Sequence, residues 1–145
     1  MRELLLLCRI AGRPAAIPAD VVLSVIEIEA VTPIPATPDF IIGLTALRSQ
    51  ALTVIDCRVS LGFAPSDRVI GNRAAVVEHE GHRYALLVDE AFDVAEGLSE
   101  PVQVPGGFGA GWLHAARGMV ETRNGPVLLV DVAQLLAGPP EVRAA

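Results

Sequence analysis

Three aspartates, Asp56, Asp89 and Asp131, each close an apolar run, a position from which a carboxylate can serve as a general base. A plainer role weighs more: Asp56 and Asp131 stand at matching helix starts and Asp89 matches Asp20 at a strand end, so capping and turn formation account for them. His79-Glu80-Gly81-His82 offers two imidazoles and a carboxylate to a metal, but no cysteine lies near and His114 is the only other histidine, so the reading is a solvated hairpin tip. Gly106 to Gly111 lacks both the lysine of a phosphate loop and the strand-turn-helix setting of a dinucleotide fingerprint, and reads as a mobile loop. Ser24, Ser49, Ser60, Ser66 and Ser99 occupy no nucleophile elbow and none adjoins a histidine. No catalytic residue, metal site or cofactor is expected, and no enzyme. Arg48 is different in kind. It ends a largely apolar strand beside a turn, where a guanidinium projecting from an apolar rim makes a contact anchor.

The elements that carry these residues are written twice. Gly12, Ala16-Ile17, Asp20 and Val25 return as Gly81, Ala85-Leu86, Asp89 and Val94, 69 residues later. Gly43, Arg48, Leu52, Val54-Ile55-Asp56 and Leu61 return as Gly118, Arg123, Val127, Leu129-Val130-Asp131 and Leu136, 75 residues later. The longer spacing places about six extra residues in the second copy, most simply in the glycine-rich stretch 105–111.

Within the first copy, 4–10, 13–18 and 22–32 read as extended segments rich in Val, Ile and Leu, with Ala11-Gly12 as a turn. Pro33, Pro35 and Pro38 then interrupt pairing, since each lacks a backbone donor. A hairpin follows, 41–48 with 51–55 about Ser49-Gln50, and Asp56 caps a helix through Leu61. The second copy repeats this with 74–79, 83–88 and 92–98, then 118–123 joined to 127–130 by a type I′ turn at Asn124-Gly125, then a helix capped by Asp131. The fold expected is mainly β, two small five-stranded barrels with short capping helices. One domain spans 1–145, its lobes lying about 4–66 and 70–137, with strand exchange between them left open.

The composition, 52% hydrophobic and only 19% charged, supports a sizeable core. Mean hydropathy is +0.48, yet Arg9, Asp56, Asp89 and Asp131 keep every apolar run well short of a membrane span, so no membrane insertion is expected. The short apolar run behind Met1-Arg2-Glu3 does not make a secretory signal, which points to the cytoplasm. Cys8 and Cys57 read as reduced and packed in apolar surroundings. A net charge of −6 opposes attraction to phosphate backbones, so no nucleic-acid partner is expected.

Thr37-Pro38-Asp39-Phe40-Ile41-Ile42-Gly43-Leu44-Thr45-Ala46-Leu47-Arg48, with Val54-Ile55-Asp56-Cys57-Arg58, resembles the signature of the CheW family of chemotaxis coupling proteins. Leu86-Leu87-Val88-Asp89-Glu90 with Val94, and Val127 to Asp131 with Leu135-Leu136, extend the resemblance over nearly the whole chain. It implies two SH3-like five-stranded barrels and a non-catalytic scaffold bridging chemoreceptor cytoplasmic tips and the regulatory domain of a CheA-type histidine kinase, recruited to membrane-associated receptor arrays. It also implies that Arg48, Gly43 and Val22 belong to partner-contact regions. The chain departs from the family at Ala46, Ser49 and Thr53, where Asn, Gly and Pro are usual, and at Ser24, where an acidic residue is common. Partner choice is therefore expected to have shifted. A second reading is a small-ligand module, with an apolar molecule in the groove between the barrels or under the glycine-rich loop.

Overall fold

Strand β1 (Leu4–Ile10) is an interior strand of the first of two five-stranded sheets in the computed structural model, which describes residues 3–139. The first copy continues with β2 (Arg13–Pro18), β3 (Val22–Glu27), β4 (Ile41–Leu47), β5 (Gln50–Asp56) and helix α1 (Cys57–Ser60). The second supplies β6 (Arg73–His79), β7 (His82–Leu87), β8 (Glu90–Glu96), α2 (Ala110–Ala115), β9 (Ala116–Thr122), β10 (Gly125–Val130) and α3 (Val132–Ala137). No helix among the described residues is long and apolar enough to cross a membrane.

Neither sheet is built from one copy. The strand orders are β8-β1-β2-β10-β9 and β3-β6-β7-β5-β4, so the β1–β2 hairpin takes three strands of the second copy and the β6–β7 hairpin three of the first. The repeat nevertheless relates the sheets strand for strand. Leu128 opposite Ala15 and Thr53 opposite Tyr84 are the same register in two copies of one parallel pair. After β3 the chain crosses to the far edge of its sheet: Ile28 donates to the Asn72 carbonyl at 2.9 Å, and Thr32 and Leu44 exchange two backbone bonds of 2.8 Å. Residues 97–102 do the same for the other sheet, ending on paired Val102 and Met119. These crossings curl each sheet into an SH3-like barrel and cover its edges.

Alternation along the strands sorts the core into three layers. Leu5 and Leu7 fill the first barrel with Ala16, Val127 and Leu129, and Ala74, Val76, Leu52, Val54 and Ala85 fill the second. The intervening residues Leu6, Cys8, Ile17, Ile55, Ala75, Val77, Leu86 and Leu128 form a layer between the barrels. Strands buried on both faces need apolar residues at every position, which is why β1 begins as an unbroken leucine run. Both cysteines are free and lie in this middle layer. Burial, reinforced by the Asp89 charge, pushes Cys8 up to about 12, and burial also raises Cys57. Both thiols hold their protons more tightly folded than unfolded. The contribution of Cys8 to stability is therefore fully present below the ordinary thiol value of 9.0 and is lost as pH rises from there toward about 12, and that of Cys57 is likewise lost in alkali. The expected result is no reaction with an aromatic disulfide reagent in the native protein, two equivalents after denaturation, and a thiol-linked fall of the urea midpoint in alkali.

The local signals fare unevenly. Asp56 accepts from the Arg58 amide at 3.1 Å and Asp131 from the Gln134 amide at 3.2 Å, so both caps form as the sequence predicts. The first hairpin turn is one residue earlier than expected, at Arg48-Ser49, whose φ values of +52° and +68° give a type I′ turn, because Leu47 pairs with Gln50. At the second, Gly125 pairs with Thr122 and only Gly125 has positive φ, +104°. The turn is therefore Arg123-Asn124 closed by glycine, instead of type I′ at Asn124-Gly125; Asn-Gly serves either geometry. β3 stops at Glu27 and β8 at Glu96, short of the expected 32 and 98, because the chain leaves the edge there to cross the barrel. The glycine-rich stretch turns helical at Ala110, and this unpredicted α2 seats Trp112 in the middle layer.

Candidate partner-binding surface

The three aspartates are engaged in the fold. Asp56 also accepts from the Ser66 amide and hydroxyl, and Asp89 accepts from the Gly12 amide at 2.8 Å and faces Arg58 at 3.5 Å. His79 and His82 oppose one another across the β6–β7 hairpin, but no group of three metal-ligating side chains occurs among the described residues. The space between the barrels is packed side chain, and the groove beside the glycine-rich loop, lined by Leu61, Phe63, Gly109 and Pro139, is a solvent-open 220 Å³. Neither provides the enclosed apolar cavity that the ligand reading requires.

The β4–β5 and β9–β10 turns carry the repeat-equivalent arginines. Arg123 is held: its guanidinium donates to the Asp93 carboxylate at 2.7 Å and to the Val94 carbonyl at 3.4 Å, pinning the turn to β8. The Val94 amide, 2.8 Å from Asp93, and then Arg123 hold the Asp93 carboxyl below the usual carboxylate range. In the other barrel the residues at these positions are Arg48 and Ser24, both exposed. A serine hydroxyl supplies no countercharge, and Arg48 makes no hydrogen bond or ion pair among the described residues. Its surroundings are apolar. Leu44, 37% exposed, and Ala46 face outward on the strand leading to the turn; on β3, at the other edge of the sheet, Leu23 is 52% exposed beside Ser24.

Of the three residues singled out in sequence, Arg48 and Gly43 share β4 and its turn, while Val22 lies on β3 at the other edge of the same sheet. Val22 is half-buried opposite Val77. Gly43 is buried at a β-bulge with φ of +155°, and a Cβ there would fall 2.3 Å from the Thr32 carbonyl oxygen. Gly118 meets Val102 in the same way at 2.6 Å. The glycine pair therefore admits the crossing strand to each barrel edge. Thr53 is half-buried between Leu44 and Tyr84, whereas Ala46 and Ser49 are exposed, so two of the departures fall on the open surface around Arg48. Leu23 and Leu44 did not stand out in the sequence; the signal available was the alignment of Ser24 with Asp93 between copies.

No curated protein matches this chain. Among solved structures it is similar to the scaffolding protein TtCheW from Thermoanaerobacter tengcongensis, with a TM-score of 0.77 and 22% identity over 93% of this chain and 88% of that one. A family model described as the CheW-like domain matches residues 4–139, which include all ten strands, both crossings and the capping helices. The chain belongs to the CheW-like domain family.

Proposed function

We propose that this protein is a non-catalytic chemotaxis adaptor that couples chemoreceptor cytoplasmic tips to the regulatory domain of a CheA-type histidine kinase, within membrane-associated receptor arrays. Arg48 and the apolar residues around it, with Val22 on β3, form a partner-binding surface, and Gly43 holds β4 in the shape that presents it. The observation that carries this reading is an arginine, unpaired among the described residues, on an exposed turn that follows the exposed Leu44, within a chain whose family match is nearly complete. A guanidinium beside exposed apolar area is a common anchor of protein interfaces.

Titration calorimetry of the kinase regulatory domain, and separately of a receptor tip hairpin, against the wild type and Arg48→Glu tests the reading. Charge reversal is expected to weaken binding at least about tenfold, which is ~1.4 kcal/mol, with the thermal midpoint unchanged because Arg48 is exposed and unpaired. A folded wild type that binds neither probe would count decisively against the adaptor.

A further inference from the structure

The internal repeat supplies its own control for Arg48. In one barrel the turn arginine is neutralised within the chain by Asp93, and in the other the carboxylate is replaced by Ser24. The strand frames match, since both turns follow an equivalent bulged strand and both β3 and β8 are edge strands of equivalently ordered sheets, while the turns differ locally: Arg48 has φ of +52°, and at the other turn the positive φ falls on Gly125 instead of Arg123. We propose that Arg48 selects partners by requiring a carboxylate from them: the binding segment carries an Asp or Glu, next to an apolar side chain, that takes the place Asp93 occupies against Arg123. This rests on the adaptor reading and adds the chemistry of the partner to it.

The charge argument runs through desolvation. A guanidinium covered by an interface loses water, and without a countercharge that loss opposes binding. Arg123 carries its counter-ion already, so an incoming carboxylate gains little there. Arg48 has none and gains a charge-assisted, potentially bidentate hydrogen bond only on association. The exposed Leu23, adjacent in sequence to Ser24, and Leu44 on the strand before the turn supply apolar area for the rest of the segment. The same logic rejects partners with Lys or Arg at that point, because two like charges would be buried together.

Ser24→Asp builds the counter-ion into the chain and tests the proposal. Ser24 is exposed, so Ser24→Asp and the uncharged control Ser24→Asn are expected to fold as the wild type does. The probes are the receptor tip hairpin and the kinase regulatory domain, titrated at low and high salt, with the Arg48 side-chain Nε–H followed by NMR. Ser24→Asp should shift that resonance as an ion pair forms, weaken binding of the responding probe about fivefold or more, and reduce its salt dependence. Ser24→Asn should bind within about twofold of wild type. Wild-type affinity in Ser24→Asp with the ion pair formed would overturn the proposal and leave the adaptor reading standing. An unshifted Arg48 resonance would overturn it too, because the two barrels would then not be equivalent at this site. A wild type that binds neither probe would remove both.

Discussion

Truncating Trp112 to alanine should cost about 3–5 kcal/mol, among the largest single-residue losses this fold can show. The indole is 1% exposed and sits in the layer between the barrels with Phe40, Leu61, Ala115 and Leu135. Helix α2 that carries it has six residues and no side-chain cap, too short to persist without tertiary contacts. Removing the indole therefore opens a cavity and also releases the helix that seats the insertion. The prediction has a finer side. Among the described residues Trp112 Nε1 is buried without a hydrogen-bond partner, which opposes burial by about 1–3 kcal/mol. Trp112→Phe keeps most of the apolar volume and removes that donor, so it should lose much less than Trp112→Ala. Urea unfolding followed by far-ultraviolet circular dichroism measures both, since Trp112 is the only tryptophan and its fluorescence disappears with it. Equal losses for Phe and Ala would show that the retained ring packs no better than a methyl group there, and would overturn the prediction.

Gly43→Ala is the second large effect. The added Cβ would stand 2.3 Å from the Thr32 carbonyl oxygen and 2.8 Å from its carbon, and the residue already has φ of +155°. Both colliding atoms are backbone, so relief requires moving the crossing segment away from β4 and breaking the Thr32–Leu44 pair. A loss of about 2–4 kcal/mol is expected, as for other backbone strain in buried positions. Gly118→Ala should behave alike in the other barrel, where the approach is 2.6 Å to the Val102 carbonyl oxygen. The measurement separates two meanings of a binding defect at Gly43. A lowered thermal midpoint in both variants makes the glycine part of the architecture that presents Arg48. Wild-type stability with lost binding would put its backbone directly in the contact.

What was legible in the sequence was what depends on neighbours along the chain or on the comparison of one copy with the other. The strands showed through their β-branched and leucine-rich runs, and the helix starts at Asp56 and Asp131 showed because a cap needs only a side chain and an amide two or three residues on. Turn positions were less secure: Asn124-Gly125 fits two turn types, and the choice falls to the pairing of Thr122 with Gly125. The helix at Ala110 was illegible because glycine and a short run oppose helix locally, and burial of Trp112 overrides that.

The sequence by itself determined the duplicated unit, the mainly β character, the two barrels, the capping aspartates and the family. The family rests on the resemblance of its signature residues; the rest follow from periodicity, composition and short-range hydrogen bonding, which a linear chain already contains. Only the tertiary structure decided that each barrel draws strands from both copies, because β3 and β8 have similar apolar patterns and their pairing depends on which hairpin lies beside them in space. The same holds for Arg48. Its type and position were visible from the start, but its charge is unanswered because the carboxylate that holds Arg123 is replaced by Ser24 at the equivalent position of the repeat, and no other side chain among the described residues pairs with it.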